Sequence, residues 1–222
     1  MASRSHHSSQ ASQRRRASPA LTAEEREARI KSLLDAALDV FLERGFAAAR
    51  LDEVARRAGV AKGTLYLYFA SKEVLFEELI RSVLASPFQA RGEEILKSDL
   101  PAEAMLRGLI AYAKTEILGT RRKDIARLII SEAGRFPELA VFYHREVVAR
   151  GVAMIRTIVE RGIARGEFRS DEAARFPQLV VAPLLVGIVW TGLFDRTEKL
   201  DVAGLLDAHA DLLIRGLKGG EA

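Results

Sequence analysis

The stretch AGVAKGTLYLYFASK, Ala58 to Lys72, decides how this chain is read. It sets three large rings, Tyr66, Tyr68 and Phe69, within four residues, with lysines at both ends of the run. On a helix of about 3.6 residues per turn, Leu65 and Phe69 share one face through their i, i+4 spacing and belong in a core with Leu51, Val54 and Phe41. Lys62, Thr64, Tyr66 and Tyr68 are left on other faces. Just upstream, Leu51, Val54, Ala55 and Ala58 form a short apolar stripe ending at Gly59, and Asp52 and Glu53 in its first turn complement the helix dipole. Gly59 supplies the left-handed backbone of a tight turn, and Val60 plugs the core beneath it. Two short helices joined in this way are a helix-turn-helix.

The faces left over carry the chemistry. Lys62 and Thr64, near the start of the second short helix, are placed to reach base edges in a major groove, the lysine toward guanine and the threonine methyl toward thymine. Gly63 lets the backbone come close. Tyr66 and Tyr68 can lay their rings along the protein and direct their hydroxyls at phosphate, and Lys72 joins a helix N-terminus that already favours phosphate. A ring cluster on a short helix is equally compatible with ordinary core packing. That second reading gives no reason for Lys62, Gly63 and Thr64 to precede the rings.

Working outward, Thr22 and Glu25 make a capping box, and Ile30, Leu33, Leu34, Ala37, Leu38, Phe41 and Leu42 continue as one apolar stripe that Gly45 stops. Ser71 caps the helix that follows the reading stretch. Residues 1–21 are rich in Ser, Gln and Arg and read as a flexible basic arm, with Arg14, Arg15 and Arg16 able to touch phosphates or a minor groove. His6 and His7 have no acidic or sulfur partners nearby, so no metal is expected there. The arm contains no apolar segment of the kind that directs export, and a cytoplasmic location is expected.

Composition agrees with a two-part protein. The chain has 222 residues, half of them apolar, and a net charge of +4. Residues 1–70 hold 12 Lys and Arg against 8 Asp and Glu, whereas residues 71–222 hold 22 of each. A basic end on a neutral body suits a polyanion-binding module carried by a larger domain. The absence of cysteine excludes disulfides, thiolate metal sites and cysteine catalysis.

Beyond residue 71 the pattern stays helical. A break is expected near Pro87 and a boundary at Ser98–Pro101, followed by a helix to Leu118 carrying Met105, Leu109, Tyr112 and Ala113 on one face. A further helix carries Ile125, Leu128, Ile129 and Ala133. Pro137 opens a long one that reaches Gly166. The run Pro177–Phe194 is the most apolar in the chain, but it is shorter than the ~20 apolar residues of a membrane span, and Pro177 and Pro183 interrupt it. A soluble helix that is apolar all round is buried all round, so half of it should meet a second subunit. The last helix is amphipathic, with Val202, Leu205, Leu206, His209, Leu212 and Leu213 at helical spacing. Tyr112, Phe142, His144, Met154, Trp190 and Phe194 combine apolar bulk with polar tips and are the candidate ligand-binding residues.

Residues 24–80, and above all LLDAALDVFLERGF and LDEVARRAGVAKGTLYLYFASKEVLFEEL, resemble the DNA-binding domain of the TetR family of bacterial transcriptional regulators. The resemblance implies an all-α fold with a helix-turn-helix domain over 22–70 and a helical effector-binding and dimerisation domain over 71–222. It implies that Lys62, Gly63 and Thr64 face bases and that Tyr66, Tyr68 and Lys72 hold phosphates. The family's usual Thr or Ser before Leu51 is replaced by Arg50, which loses the helix cap and leaves a side chain able to bind phosphate. The resemblance further implies a homodimer through the last two helices, bound to a near-palindromic duplex with half-sites ~34–36 Å apart. The expected function is repression relieved by a small apolar or aromatic effector. The stretch RLIISEAGRFPEL, Arg127 to Leu139, resembles AcrR- and AefR-like members, many of which control efflux genes. A ligand-independent architectural DNA-binding protein on the same fold is the alternative. No enzyme motif and no cofactor-binding pattern occurs.

Overall fold

Residues 22–219 are described by a computed structural model, and every regular element in them is helical; the basic arm over 1–21 lies outside the described residues. Helix α1 (Ala23–Ala48) starts with the expected reciprocal cap: Thr22 Oγ1 accepts the Glu25 N–H at 3.2 Å, and the Glu25 carboxylate accepts the Thr22 N–H at 2.8 Å. Its regular course ends at Gly45, which adopts φ 72°, and one more turn follows. Helices α2 (Leu51–Arg57) and α3 (Lys62–Tyr66) are joined through Gly59 at φ 67°, the left-handed conformation that the AGV turn requires. Ser71 caps α4 (Lys72–Ile80) by accepting the Val74 N–H.

These four helices share a core in which Leu65 and Phe69 pack with Phe41, Val54 and the half-buried Leu51, as their spacing requires. The Phe41, Phe46 and Phe76 rings meet one another with centroids 5.0 to 5.7 Å apart. Each fully buried ring or leucine stabilises the fold by roughly 1.5–3 kcal/mol relative to exposure. The same core takes in Ile125, Leu128 and Ile129 of α7 (Arg122–Glu132) and Leu139 and Phe142 of α8 (Pro137–Tyr143). The four N-terminal helices are thus packed directly onto the body.

The break expected at Pro87 is a widened turn inside a continuous helical rod. Residues Arg81–Ala85 form a π turn between α4 and α5 (Ser86–Lys97), with the Ser86 N–H bonded to the carbonyl of Arg81. Pro87 has no N–H to give the Val83 carbonyl four residues back, and Arg122 Nε donates to that carbonyl at 3.0 Å instead. Two similar turns follow: Ala113–Leu118 extends α6 (Ala102–Tyr112), and His144–Val148 joins α8 to α9 (Ala149–Ala164). The short α10 (Glu172–Arg175), α11 (Gln178–Leu193) and α12 (Val202–Lys218) complete the body. A second core, built on Met105, Leu106, Ile155, Ile158, Leu206 and Ile214, lies at the far end from the reading domain's core.

Helix α11 is not covered all round. Val180, Gly187 and Ile188 are buried, while Leu179, Leu185, Val186, Val189 and Leu193 are exposed. No helix among the described residues is long and apolar enough to cross a membrane.

Candidate nucleic-acid interface and adjoining cavity

The reading surface is built on α3 and its neighbours. Lys62, Gly63 and Tyr66 are exposed on α3, and Thr64 is half-buried. The Lys62 Nζ lies 2.7 Å from Asp52 Oδ1 on α2 and 5.9 Å from the Tyr66 ring centre. The paired lysine holds the Asp52 carboxyl below its usual range, and Asp52 in turn raises the Lys62 ammonium. A side chain added at Gly63 would meet nothing of the chain itself, and the residue is helical, so nothing inside the protein demands a glycine there. The bare backbone is open to an outside surface.

The remaining predicted contacts divide. Tyr68 is half-buried against the first core, its ring centre 6.5 Å from that of Phe69. Lys72 donates to the Ala47 carbonyl at 3.0 Å and lies 4.7 Å from the Phe46 ring centre, so it caps the last turn of α1. Arg50 precedes α2 without a side-chain cap, as its replacement of Thr or Ser implied; its guanidinium stands 3.7 Å from Asp52 and is largely exposed. Leu67, which the sequence reading passed over, is 82% exposed at the end of α3. The 3.6-residue spacing of an apolar letter gave no sign that it faces outward between Tyr66 and Tyr68. Behind this face, Arg57 holds Glu43 through two bonds of 2.6 and 2.7 Å, fixing α2 against α1.

A cavity of about 190 Å³ lies within the body, walled almost wholly by apolar side chains. All three π turns contribute to it: Leu84 from the first, Ala113 and Ile117 from the second, Val147 and Val148 from the third. Wide turns of this kind recur at functional sites in helical proteins. Its polar groups come from Tyr112, Tyr143 and Arg122, and burial pushes both phenols above their usual range.

Of the six residues expected at a ligand site, the structure brings only Tyr112 to this cavity. Phe142 faces the opposite way, 3% exposed in the first core, with the Arg81 and Arg145 guanidinium carbons each 5.3 Å from its ring centre. His144 is exposed, and Met154 fills the second core against Gly92. Trp190 and Phe194 meet edge to face, ring centres 5.2 Å apart, at the end of α11, where the indole N–H donates to the Glu198 carbonyl. The physical reason is phase. On the α8–α9 rod the face toward the cavity is Tyr143, Val147, Gly151 and Ile155, one position away from Phe142 and His144. The sequence signal for it is an i, i+4 row of apolar and small residues with a single phenol at its head.

Helix α7 touches both regions. Its first turn places Arg122 and Ala126 in the cavity wall. At its last turn, Glu132 Oε1 accepts the Phe46 N–H at 3.1 Å, where α1 bends at Gly45, and Oε2 is buried without a partner. Among the described residues no group of His, Asp and Glu side chains is arranged to hold a metal ion.

Comparison with known proteins places the geometry. Residues 33–79 match the family model described as bacterial regulatory proteins, tetR family, and residues 98–211 match that of the tetracyclin repressor-like C-terminal domain. The chain belongs to the TetR family of DNA-binding transcriptional regulators, whose members are not enzymes and whose fold implies operator binding and C-terminal dimerisation. It is 27% identical over 192 residues to the uncharacterised HTH-type regulator YhgD of Bacillus subtilis, covering 85% of this chain and 96% of that one. It is 28% identical over 205 residues to the HTH-type transcriptional repressor NicS of Pseudomonas putida, covering 84% and 91%. The fatty acid degradation regulator FadR of Bacillus halodurans has the same fold, with a TM-score of 0.69 at 24% identity over 86% of this chain and 96% of that one.

Proposed function

We propose that this protein is a cytoplasmic homodimeric repressor that leaves a near-palindromic operator when a small, largely apolar or aromatic molecule occupies the cavity among the three π turns. The observation that carries this reading is the single helix α7, which lines the cavity with Arg122 and Ala126 and grips the end of α1 through Glu132. A ligand that prefers a shifted α7 would weaken operator affinity by that preference and no more. In this reading α1 and α4 carry the shift to the reading surface.

On the DNA side, Lys62, Gly63 and Thr64 meet bases, while Arg50, Tyr66, Tyr68 and Lys72 hold phosphates; Tyr68 and Lys72 leave their resting contacts to do so. The exposed row on α11, with Leu212 of α12, forms the two-fold interface that sets the half-site spacing. Repression, as opposed to activation, is supported by the kinship with NicS. Efflux genes are the proposed targets, from the likeness of Arg127–Leu139 to efflux regulators.

The test is selection of bound sequences from a random duplex pool by the purified protein, followed by titration of a ligand panel against the selected duplex. A palindromic winner released by some apolar compound is the expected result. Enrichment of no sequence, with only steeply salt-dependent binding, would identify an architectural protein.

A further inference from the structure

Taking the cavity as the effector site, as proposed above, we infer that it accepts uncharged apolar molecules and rejects carboxylates and other anions of the same shape. The deciding group is Arg122, the cationic residue in the lining. Its Nε is held by the Val83 carbonyl that Pro87 leaves unpaired, at 3.0 Å. Its NH1 donates to both the carbonyl and the carboxylate of Glu116, at 3.2 and 2.6 Å. Glu116 offsets its charge, Nε and NH1 are both engaged, and the partners lie on the first and second π turns, so Arg122 clamps the cavity wall.

Arg91, another cation close enough to act on Tyr112, is likewise engaged, its NH1 2.7 Å from Glu94. An entering carboxylate therefore meets a positive charge that Glu116 already balances. It either displaces Glu116 or sits uncompensated among aliphatic side chains, and both are costly. A hydroxyl, ketone or ester asks for one hydrogen bond, and the phenols of Tyr112 and Tyr143 in the wall are the neutral donors available for it. The apolar body would lie against Leu109, Ile155, Val181 and Leu184.

The experiment uses matched pairs on the full-length protein: decanol and methyl decanoate against decanoate, and naphthalenemethanol against naphthoate. Binding is read by calorimetry, with release of a selected operator as a second readout. The neutral member of each pair is expected to bind about tenfold or more tightly than its anion. Glu116→Gln, which frees the Arg122 charge, is expected to narrow or reverse that ratio. Equal or tighter binding of the anions by the unaltered protein would overturn the inference while leaving the cavity as the effector site. Failure of the neutral and the anionic members alike to bind, in both pairs, would remove the cavity as effector site and the inference with it.

Discussion

Lys62 on the reading helix is held by Asp52 from the helix before it, at 2.7 Å, so the lysine that would reach base edges is presented already paired with an acid. If Lys62 reads bases as proposed, the pair would serve discrimination over affinity. Random duplex offers phosphate alone, and the carboxylate opposes it; a site that supplies a guanine edge to the lysine and a cytosine amino group to the acid repays both.

Asp52→Asn is expected to raise affinity for random duplex and to lower the ratio of selected to random binding. Anisotropy titrations at several salt concentrations check this. Lys62→Ala should lower the same ratio from the other side, losing selected-site affinity more than random affinity. A uniform loss for both DNAs would remove Lys62 from base reading.

Two glycines give opposite results with the same substitution. Gly45 sits at φ 72°, and an added methyl would lie 2.7 Å from Glu132 Oε1, so Gly45→Ala is expected to destabilise the fold by ~1–3 kcal/mol. Gly63 is helical with open space beside it, so Gly63→Ala should leave stability unchanged or raise it by up to ~1 kcal/mol, while weakening DNA binding. Urea denaturation and operator titration of both variants separate the roles.

Glu132 is expected to matter by its acceptor oxygen, not its charge. Glu132→Ala leaves the N–H of the buried Phe46 without a partner, at ~1–3 kcal/mol, and should weaken the ligand's effect on operator affinity. Glu132→Gln keeps an acceptor and should restore most of both. Paired stability and ligand-response measurements check the order.

His209 gives a pH signature. It packs on α12 with Nε2 buried and unpartnered, and burial lowers its pKa against the opposing hydrogen bond to the Leu179 backbone. The unfolded chain takes up a proton near pH ~6.5 that the folded protein resists, so its effect on stability is absent well above that pH and unfavourable below it. Urea midpoints should fall between pH 7.5 and 5.5, and His209→Gln should flatten the fall.

The helix-turn-helix was legible because its signals are local. A capping box, an i, i+4 pair and one left-handed glycine place Leu65, Phe69, Lys62 and Gly59 without reference to the remainder of the chain. The cavity was not, because its walls are set by phase relations between rods. Tyr112, on an unbroken stripe, lies in the cavity wall, whereas Phe142 and His144 fall one residue on either side of the lining Tyr143. Arg122 was invisible for another reason: its partner is the carbonyl that a proline thirty-five residues earlier leaves open. Lys72 and Tyr68 show a third limit, since side chains read as facing DNA make contacts within the protein, with the Ala47 carbonyl and the first core.

Each π turn is in effect a single extra residue threaded into a helix, and removing it would swing every side chain downstream by about 100°. The rod from α4 to α5 uses this offset to show Leu75, Phe76, Leu79 and Ile80 to one core and Ile95 to the other. The hollow in this protein is therefore spelled in chain length as much as in side-chain size. Point substitutions would reshape it gradually, but loss of one letter at any of the three turns would abolish it in a single step.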